Sequence, residues 1–262
     1  MSEITSRHNP KVKLALKLQE RRERDKTDLF LIEGYREISR AHEAKRRFDT
    51  LFFCPELFLG ENEAELLSSI PEATRCPEAI FRKLSYRDRP DGLLAIAYQK
   101  HLTLADLPNP QFLVVAEAIE KPGNLGTILR SSDGVGVDGV IVVDRCTDIH
   151  NPNVVRASVG TLFTLPVIEA KGKETLDWLK KHQVRLIATS PAAEQEYTEA
   201  DLTGPIAIIV GTEQLGLSDS WLQAADLAVK IPMLGVADSL NVATATTLML
   251  YEALRQRRHL RR

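Results

Sequence analysis

Residues 112–144, FLVVAEAIEKPGNLGTILRSSDGVGVDGVIVVD, decide the fold of this chain. Two apolar runs, at 112–116 and 140–144, enclose a segment in which Leu125, Ile128 and Leu129 form an apolar stripe at helical spacing. Continuous apolar runs of this kind are typical of strands buried on both faces of a parallel sheet. The strand–helix–strand order therefore predicts an α/β domain with a largely parallel sheet.

The chain downstream repeats this pattern. Further strand candidates are VRLIA (184–188), IAIIV (206–210) and LAVKI (227–231), with helical segments between them. A final helix over about 239–257 is apolar around most of its circumference, and its Arg-rich end is polar. We expect this helix to pack into the core or into a subunit interface.

A second, smaller α/β module precedes this domain. The stretch ADLPNPQ (105–111) contains two prolines and reads as a linker. The predicted division is a small domain at 1–105, a linker at 106–111 and the main domain at 112–262. The small module has strand candidates at 30–34, 50–54 and 93–98, and helical stretches near 35–46, 62–69 and 77–84.

Composition excludes several classes of protein. The chain has 262 residues, of which 44% are hydrophobic, and this length can bury a sizeable core. No apolar run approaches the roughly 18 residues of a membrane span, and the start lacks the apolar stretch of a signal peptide. Cys54, Cys76 and Cys146 are an odd number without C-x-x-C spacing, and the six histidines lack ligand spacing, so neither zinc nor disulfides are predicted. We expect a cytoplasmic protein.

Charge is uneven along the chain. The net charge is only −2, but residues 1–24 hold seven basic and three acidic side chains, and residues 255–262 hold five arginines and no acid. Local basic patches on a near-neutral chain suit a polyanion bound at one face. A solvated helix face explains any single patch equally well.

The glycines at 134, 136 and 139 spell G-x-G-x-x-G, the spacing of a dinucleotide-binding loop. That fingerprint requires a strand before the glycines and a helix after them. Here a helix comes first and a strand follows. The glycines are therefore predicted to end a helix and turn into a strand, and a nicotinamide-dependent enzyme is excluded.

Three further segments carry the functional signal. In EKPGNLGTILRSSDGVG (120–136), Asn124 stands where a helix N-cap would, and Arg130 falls off the apolar stripe and can face a cleft. In IIVGTEQLGLSDSWL (208–222), a glycine at the end of a strand lets a ligand approach the backbone. A capped helix and an ordinary strand–loop–helix turn are the plain alternatives.

The third segment is KIPMLGVADSLNVATATTLMLYEA (230–253). A strand ends there at Ile231, a glycine loop follows, and Ser239-Leu240-Asn241 opens the last helix. Ser239 as an N-cap is the plain interpretation, but it does not explain why Asn241 also falls in the first turn. Thr244, Thr246 and Thr247 in that helix can cap, bond back to carbonyls or lie at a dimer contact.

Together, N-x-G-x-x-x-R, G-x-E-x-x-G-L-S and I-P-M-x-G…S-L-N-V resemble the three motifs of the SpoU (TrmH-like) RNA ribose 2′-O-methyltransferases, a branch of the SPOUT class. The resemblance covers essentially all of 112–262. Residues 1–100, with N-P-K-V-K…F-L-I-E-G, more loosely resemble the RNA substrate-binding domain that precedes the catalytic domain in many members. The resemblance implies a C-terminal trefoil-knot domain, which residue patterns would not suggest because knots are nearly absent among folds.

The resemblance also implies the cofactor and the partners. Knotted loops in this family hold S-adenosylmethionine, and the enzymes are homodimers with the active site near the subunit interface. Carried over, Gly211, Ile231 and Leu240 contact the adenosine part through backbone groups, with Thr189 and Met233 on adjoining loops. The residues that match the catalytic and RNA-contacting set are Arg130, Asn124, Glu213, Ser239 and Asn241. No metal is implied.

RNA is the implied substrate, since the 2′-hydroxyl distinguishes RNA from DNA. Members with a separate N-terminal domain more often act on large-subunit ribosomal RNA, which favours 23S ribosomal RNA over transfer RNA. Candidate phosphate contacts are Arg7, Lys11, Lys13 and Arg87, with Arg82, Lys83 and Arg89 beside the last. A non-catalytic RNA-binding protein of the same fold and a base methyltransferase of a neighbouring knotted family are the alternatives.

Overall fold

The computed structural model describes residues 2–144, 147–212 and 214–259. The first part of the chain forms five strands and five helices: β1 (Ser2–Glu3), α1 (Pro10–Lys17), α2 (Arg21–Thr27), β2 (Leu29–Glu33), α3 (Tyr35–Glu43), β3 (Phe48–Phe53), α4 (Glu63–Ser68), β4 (Ala73–Arg75), α5 (Glu78–Leu84) and β5 (Leu93–Tyr98). The remainder forms β6 (Phe112–Glu117), α6 (Pro122–Val135), β7 (Gly139–Val143), α7 (Pro152–Ala157), β8 (Val167–Ala170), α8 (Gly172–Lys181), β9 (Arg185–Thr189), β10 (Gln195–Glu196), β11 (Ile206–Val210), α9 (Asp219–Ala224), β12 (Leu227–Lys230) and α10 (Val242–His259).

The second sheet confirms the predicted α/β class. Its seven strands are ordered β10-β12-β9-β11-β6-β7-β8, and every ladder between neighbours is parallel. The central strands β6, β7 and β11 are buried along their whole length, as their continuous apolar sequences predict. The trefoil knot implied by the resemblance stays a prediction.

The first sheet is mixed, in the order β1-β4-β3-β5-β2. β5 runs antiparallel to both of its neighbours, and β1 and β3 run parallel to β4. The buried side chains of this unit include Leu31, Phe52, Phe81 and Ile96, so it has a hydrophobic core of its own.

The chain divides into two compact units, and the division differs from the predicted one in two places. The first unit takes in residues up to Lys100 together with Asp148–Thr164, and the second comprises His101–Thr147 and Leu165–Arg262. Within the first unit, the buried Arg24 guanidinium contacts the Asp148 carboxylate at 2.7 Å. Residues around the predicted linker belong to the second unit, because Leu104 and Leu107 are buried in its core.

Helix α6 begins earlier than the sequence predicts. Asn124 is not the N-cap: Lys121 holds that position and Pro122 is the first helical residue, which suits the fixed φ of proline. At the other end, Gly136 takes the left-handed conformation and β7 begins at Gly139, so the glycines do end a helix and enter a strand. None of the helices in the described ranges is long and apolar enough to cross a membrane.

Candidate active site

A cavity of about 520 Å³ lies within the second unit, at the carboxyl ends of three adjacent parallel strands. Thr189 is the last residue of β9, Gly211 follows β11 and Ile231 follows β12, and all three line the cavity. This is the edge at which open parallel sheets bind ligands. The lining includes Lys121, Thr189, Ser190, Pro191, Gly211, Thr212, Gln214, Leu215, Gly216, Leu217, Leu222, Val229, Ile231, Met233, Asp238, Ser239, Leu240, Asn241, Val242 and Ala245.

The structure thus brings together all five residues predicted to bind the cofactor. Met233 and Leu240 approach from the segment between β12 and α10, and the other three come from the strand ends. Two predicted catalytic residues, Ser239 and Asn241, line the same cavity. Residues separated by more than fifty positions in sequence therefore share one pocket.

The segment formed by residues 211, 212 and 214–217, here called the glycine loop, folds back on itself. The backbones of Thr212 and Gly216 exchange two hydrogen bonds, of 2.9 and 3.1 Å, and the Thr212 hydroxyl accepts a third from the amide of Leu215. A side chain at Gly211 would collide with the backbone of Gly216 and Leu217. Glycine is therefore required here by the loop itself.

Asn241 and Asn124 form a direct contact. The Asn241 side-chain amide donates a hydrogen bond of 3.0 Å to Oδ1 of Asn124, joining the start of α10 to the first turn of α6. Oδ1 of Asn241 accepts a hydrogen bond of 2.9 Å from the amide of Ala243, so Asn241, not Ser239, caps α10. The pair places Asn124 beside a residue of the cavity wall.

Arg130 and Glu213 are the remaining predicted catalytic residues. Arg130 is exposed on α6 and is not part of the cavity lining. It lies six residues beyond Asn124 on the same helix, about 9 Å along the helix axis at 1.5 Å per residue. Glu213 lies outside the described residues, although its neighbours Thr212 and Gln214 line the cavity.

Sequence reasoning missed several residues of this site. Lys121 and Asp238 carry the charges among the described lining residues, and Thr212 and Leu217 complete the glycine loop. Lys121, Asp238 and Thr212 are the sequence neighbours of Pro122, Ser239 and Gly211, and Leu217 lies in the quoted segment 208–222; these positions were the available signal. Glu117, the last residue of β6, was also missed, and its carboxylate accepts a hydrogen bond from the amide of Ser218.

The predicted RNA contacts fall into two groups. Arg7, Lys11 and Lys13 are exposed, on and just before α1. Arg87 instead has 16% of its side chain exposed, pairs with Glu37 at 3.1 Å and donates to the carbonyl of Glu33. Its guanidinium is therefore engaged inside the first unit. Burial raises the pKa of the neighbouring Glu33 carboxyl, although Ser85, Tyr86 and Arg87 oppose this rise.

The described cysteines are not candidate nucleophiles. Cys54 and Cys76 are buried in the first unit. Burial raises the pKa of Cys54 to about 11 and that of Cys76 to about 12, so both stay protonated at neutral pH. No group of three or more His, Cys, Asp or Glu side chains within residues 2–144, 147–212 and 214–259 could hold a metal ion.

Comparison with known proteins gives matches over almost the whole chain. The profile of the SpoU rRNA methylase family matches residues 111–251, and that of the MRM3-like substrate-binding domain matches residues 9–95. The 23S rRNA (uridine(2479)-2′-O)-methyltransferase of Streptomyces viridochromogenes is 32% identical over an alignment of 264 positions. The alignment covers 97% of this chain and 92% of that one.

Solved structures of similar proteins agree with these sequence matches. The crystal structure of an RNA 2′-O ribose methyltransferase is 43% identical, with a TM-score of 0.86 over 97% of this chain and 98% of that chain. The structure of an AdoMet-bound rRNA methyltransferase from Sinorhizobium meliloti is 32% identical, with a TM-score of 0.88 over 97% of each chain.

Proposed function

Since the chain belongs to the SpoU rRNA methylase family, we propose that it transfers a methyl group from S-adenosylmethionine to a ribose 2′-hydroxyl of RNA, with 23S ribosomal RNA as substrate. One observation carries the proposal. The five residues expected to bind the cofactor converge on one cavity, and the Asn124–Asn241 pair stands at its wall.

The cavity fits S-adenosylmethionine in size and in chemistry. Its volume of about 520 Å³ lies within the range of small-molecule sites. Val229, Ile231, Leu217 and Leu240 provide apolar surface for an adenine ring, and Lys121 and Asp238 provide charges for an amino-acid group. The cofactor is bound in the Sinorhizobium meliloti relative. When bound, it supplies an electrophilic methyl group on a sulfonium.

The residues of this chain then have to orient the ribose and remove its proton. Holding two reactants in line contributes on the order of 7–11 kcal/mol to catalysis. Arg130 grips the phosphate next to the target ribose and orients the hydroxyl, because a guanidinium is protonated at neutral pH and is a poor base. The proton passes to that phosphate oxygen, which Arg130 holds beside the hydroxyl. Asn124, Ser239 and Asn241 position the ribose, and Glu213 orients Arg130.

The first unit binds the RNA in this proposal. The match of residues 9–95 to a substrate-binding domain and the exposed Arg7, Lys11 and Lys13 support this role. Phosphate contacts of this kind position RNA without reading its sequence. We place the enzyme's action in the cytoplasm, because its named relatives modify 23S ribosomal RNA. The same chemistry on transfer RNA remains the second candidate, supported by the shared motifs.

The working form is a homodimer formed through the second unit. Large apolar side chains are exposed on α10, where Leu248 is 36% and Tyr251 is 51% exposed, and in the preceding segment at Leu234 and Val236. A second copy is the expected cover for them. Light scattering should give twice the chain mass of 29.3 kDa, and Leu248→Glu with Tyr251→Glu should give the monomer. Leu16→Glu, at 39% exposure on α1, should leave the dimer intact.

The deciding experiment is methyl transfer from labelled S-adenosylmethionine to ribosomal RNA and, separately, to transfer RNA from cells that lack the gene, followed by nucleoside analysis. A labelled 2′-O-methylnucleoside from ribosomal RNA is expected. Label in transfer RNA alone would show that transfer RNA, and not ribosomal RNA, is the substrate. A labelled base would contradict ribose methylation. If the protein binds the cofactor but transfers no methyl group to RNA from any stage of ribosome assembly, a non-catalytic RNA-binding protein is favoured.

Arg130→Ala tests the site within the same assay. It should abolish transfer and leave cofactor binding unchanged. Lys180→Ala, which removes an exposed basic side chain of α8 in the second unit, should have no such effect. Near-normal turnover by Arg130→Ala would contradict the role given to this residue.

A further inference from the structure

Glu117 is a buried carboxylate at the end of the sheet that carries the cavity. It is the last residue of β6 and only 6% exposed. Its Oε2 accepts a hydrogen bond of 2.9 Å from the backbone amide of Ser218, the residue that precedes α9. Amides at the start of a helix have no partner within the helix, so a carboxylate can bind one strongly.

Ser218 directly follows the glycine loop. That loop supplies Gly211, Thr212 and Leu217 to the cavity wall, among others. Its near end continues from β11, and its internal hydrogen bonds join Thr212 to Leu215 and Gly216. Those bonds fix the shape of the loop but do not fix its position over the sheet. The Glu117–Ser218 hydrogen bond ties the far end of the loop to β6, two strands from β9 in the same sheet.

We propose that Glu117 is a positioning residue, which holds the glycine loop in the geometry that binds the cofactor. This inference rests on the proposed function. Burying a carboxylate costs free energy, and the hydrogen bond to Ser218 offsets part of that cost. Leu217 and Trp221 also pack into the core, but apolar packing does not fix direction as a hydrogen bond does.

The exposed Asp138, just before β7, makes a control contact at the opposite end of β6. The Asp138 carboxylate accepts hydrogen bonds from the amides of Gln111 and Phe112, at 2.7 and 2.8 Å, where β6 begins. It does not line the cavity. Asp138→Ala therefore removes a carboxylate–backbone contact from the same strand without touching the glycine loop.

Glu117→Ala should raise the KM for S-adenosylmethionine about tenfold, because the Ser218 amide loses its partner and the loop is freed. The kcat at saturating cofactor should change less than about threefold. Glu117→Gln keeps a carbonyl oxygen that can accept from Ser218, so its KM should stay within about threefold of the wild type. Asp138→Ala should lower the melting temperature and leave the KM unchanged.

Hydrogen exchange of residues 211–218 gives a readout that does not depend on activity. Glu117→Ala should speed exchange of these amides, and Asp138→Ala should not. Equal KM values for Glu117→Ala and the wild type, or equal KM increases for both alanine variants, would overturn the inference. If Glu117→Ala does not fold, Glu117→Asp, which is one methylene too short, should show the same KM increase. If the wild type binds no S-adenosylmethionine but Glu117→Ala still speeds exchange in the loop, the result contradicts the proposed function and leaves the positioning role of Glu117 intact.

Discussion

Asn241 shows how one side chain serves both the helix and the site. Its Oδ1 caps α10 through the amide of Ala243, and its Nδ2 donates to Asn124. An amide side chain is suited to this because it carries an acceptor and two donors. Serine at the same place would cap the helix equally well but would not reach Asn124. Stability and activity can therefore be separated at this residue.

Asn241→Ser should leave the free energy of unfolding within about 0.5 kcal/mol of the wild type, because serine and asparagine are comparable N-caps. Methyl transfer should fall at least about tenfold, and Asn124→Ala should produce the same loss. The measurements are denaturant unfolding and the methyl-transfer assay.

Asn151 provides the control for this substitution. It caps α7 by accepting a hydrogen bond from the amide of Asn153 and lies in the first unit. Asn151→Ser should change neither stability nor transfer. Full activity in Asn241→Ser would mean that its contact with Asn124 has no part in catalysis.

Residue patterns correctly predicted that Gly211 lies at the end of a strand, but they gave the wrong reason for glycine at this position. A glycine at the end of a strand indicated a ligand approaching the backbone. In the structure, the space a side chain would need is filled by the backbone of Gly216 and Leu217. The loop's return path depends on hydrogen bonds between residues four apart, which composition does not encode. Asn124 and Asn241 were both selected from their motifs, but their contact spans 117 positions and needed the fold.

At the scale of elements, long apolar runs were predicted well and short polar elements were not. The strand predicted at 206–210 coincides with β11, and that at 93–98 with β5. β8, with four residues, and β10, with two, lie at sheet edges and carry no comparable apolar run. Helix α1 was also missed, although Asn9 followed by Pro10 is an N-cap signal and Asn9 does accept from the amide of Lys11.

The segment Asp148–Thr164 was missed as part of the first unit for a different reason. It follows β7 in sequence, and nothing in its composition marks a change of unit. Its attachment is a buried ion pair: the Arg24 and Asp148 side chains are 1% and 4% exposed. Arg24 also donates to the carbonyls of Leu18 and Gln19 at 2.8 Å, so it joins this segment to the turn between α1 and α2.

Asp148→Ala should destabilise the protein by about 3–5 kcal/mol, because it leaves the Arg24 charge buried without its carboxylate. The double variant Arg24→Met with Asp148→Leu should be less destabilised than Asp148→Ala, since it removes both charges. Denaturant unfolding followed by circular dichroism measures both.

An exposed pair in the same unit is the comparison. Arg82 and Glu78 contact each other at 2.6 Å with about half of each side chain exposed. Arg82→Ala should cost less than about 1 kcal/mol, as exposed ion pairs do. A similar small cost for Asp148→Ala would show that the buried pair does not hold the segment Asp148–Thr164.

For the whole molecule, the distribution of charge matters more than its sum. The net charge of −2 gives no reason for RNA binding, yet residues 1–24 carry an excess of basic side chains. The structure separates members of the predicted RNA set by their surroundings: Arg87 is engaged with Glu37, and Arg7, Lys11 and Lys13 are exposed. Sequence alone could not make this distinction, because Glu37 lies fifty positions away.

The affinity for RNA should therefore depend on salt through these exposed residues. Each phosphate contact contributes about 0.7 to 0.9 to the slope of log K against log salt concentration. The triple variant Arg7→Ala, Lys11→Ala, Lys13→Ala should reduce the magnitude of that slope by about 2 to 3 and leave the KM for S-adenosylmethionine unchanged. Lys173→Ala, Lys180→Ala, Lys181→Ala removes three exposed lysines from α8 in the second unit and should leave the slope as it is. Fluorescence anisotropy with a ribosomal RNA fragment between 50 and 200 mM salt measures both. Equal reductions of the slope in the two variants would mean that RNA binding depends on the total charge of the protein. An unchanged slope in the Arg7, Lys11 and Lys13 variant would place the RNA on another surface.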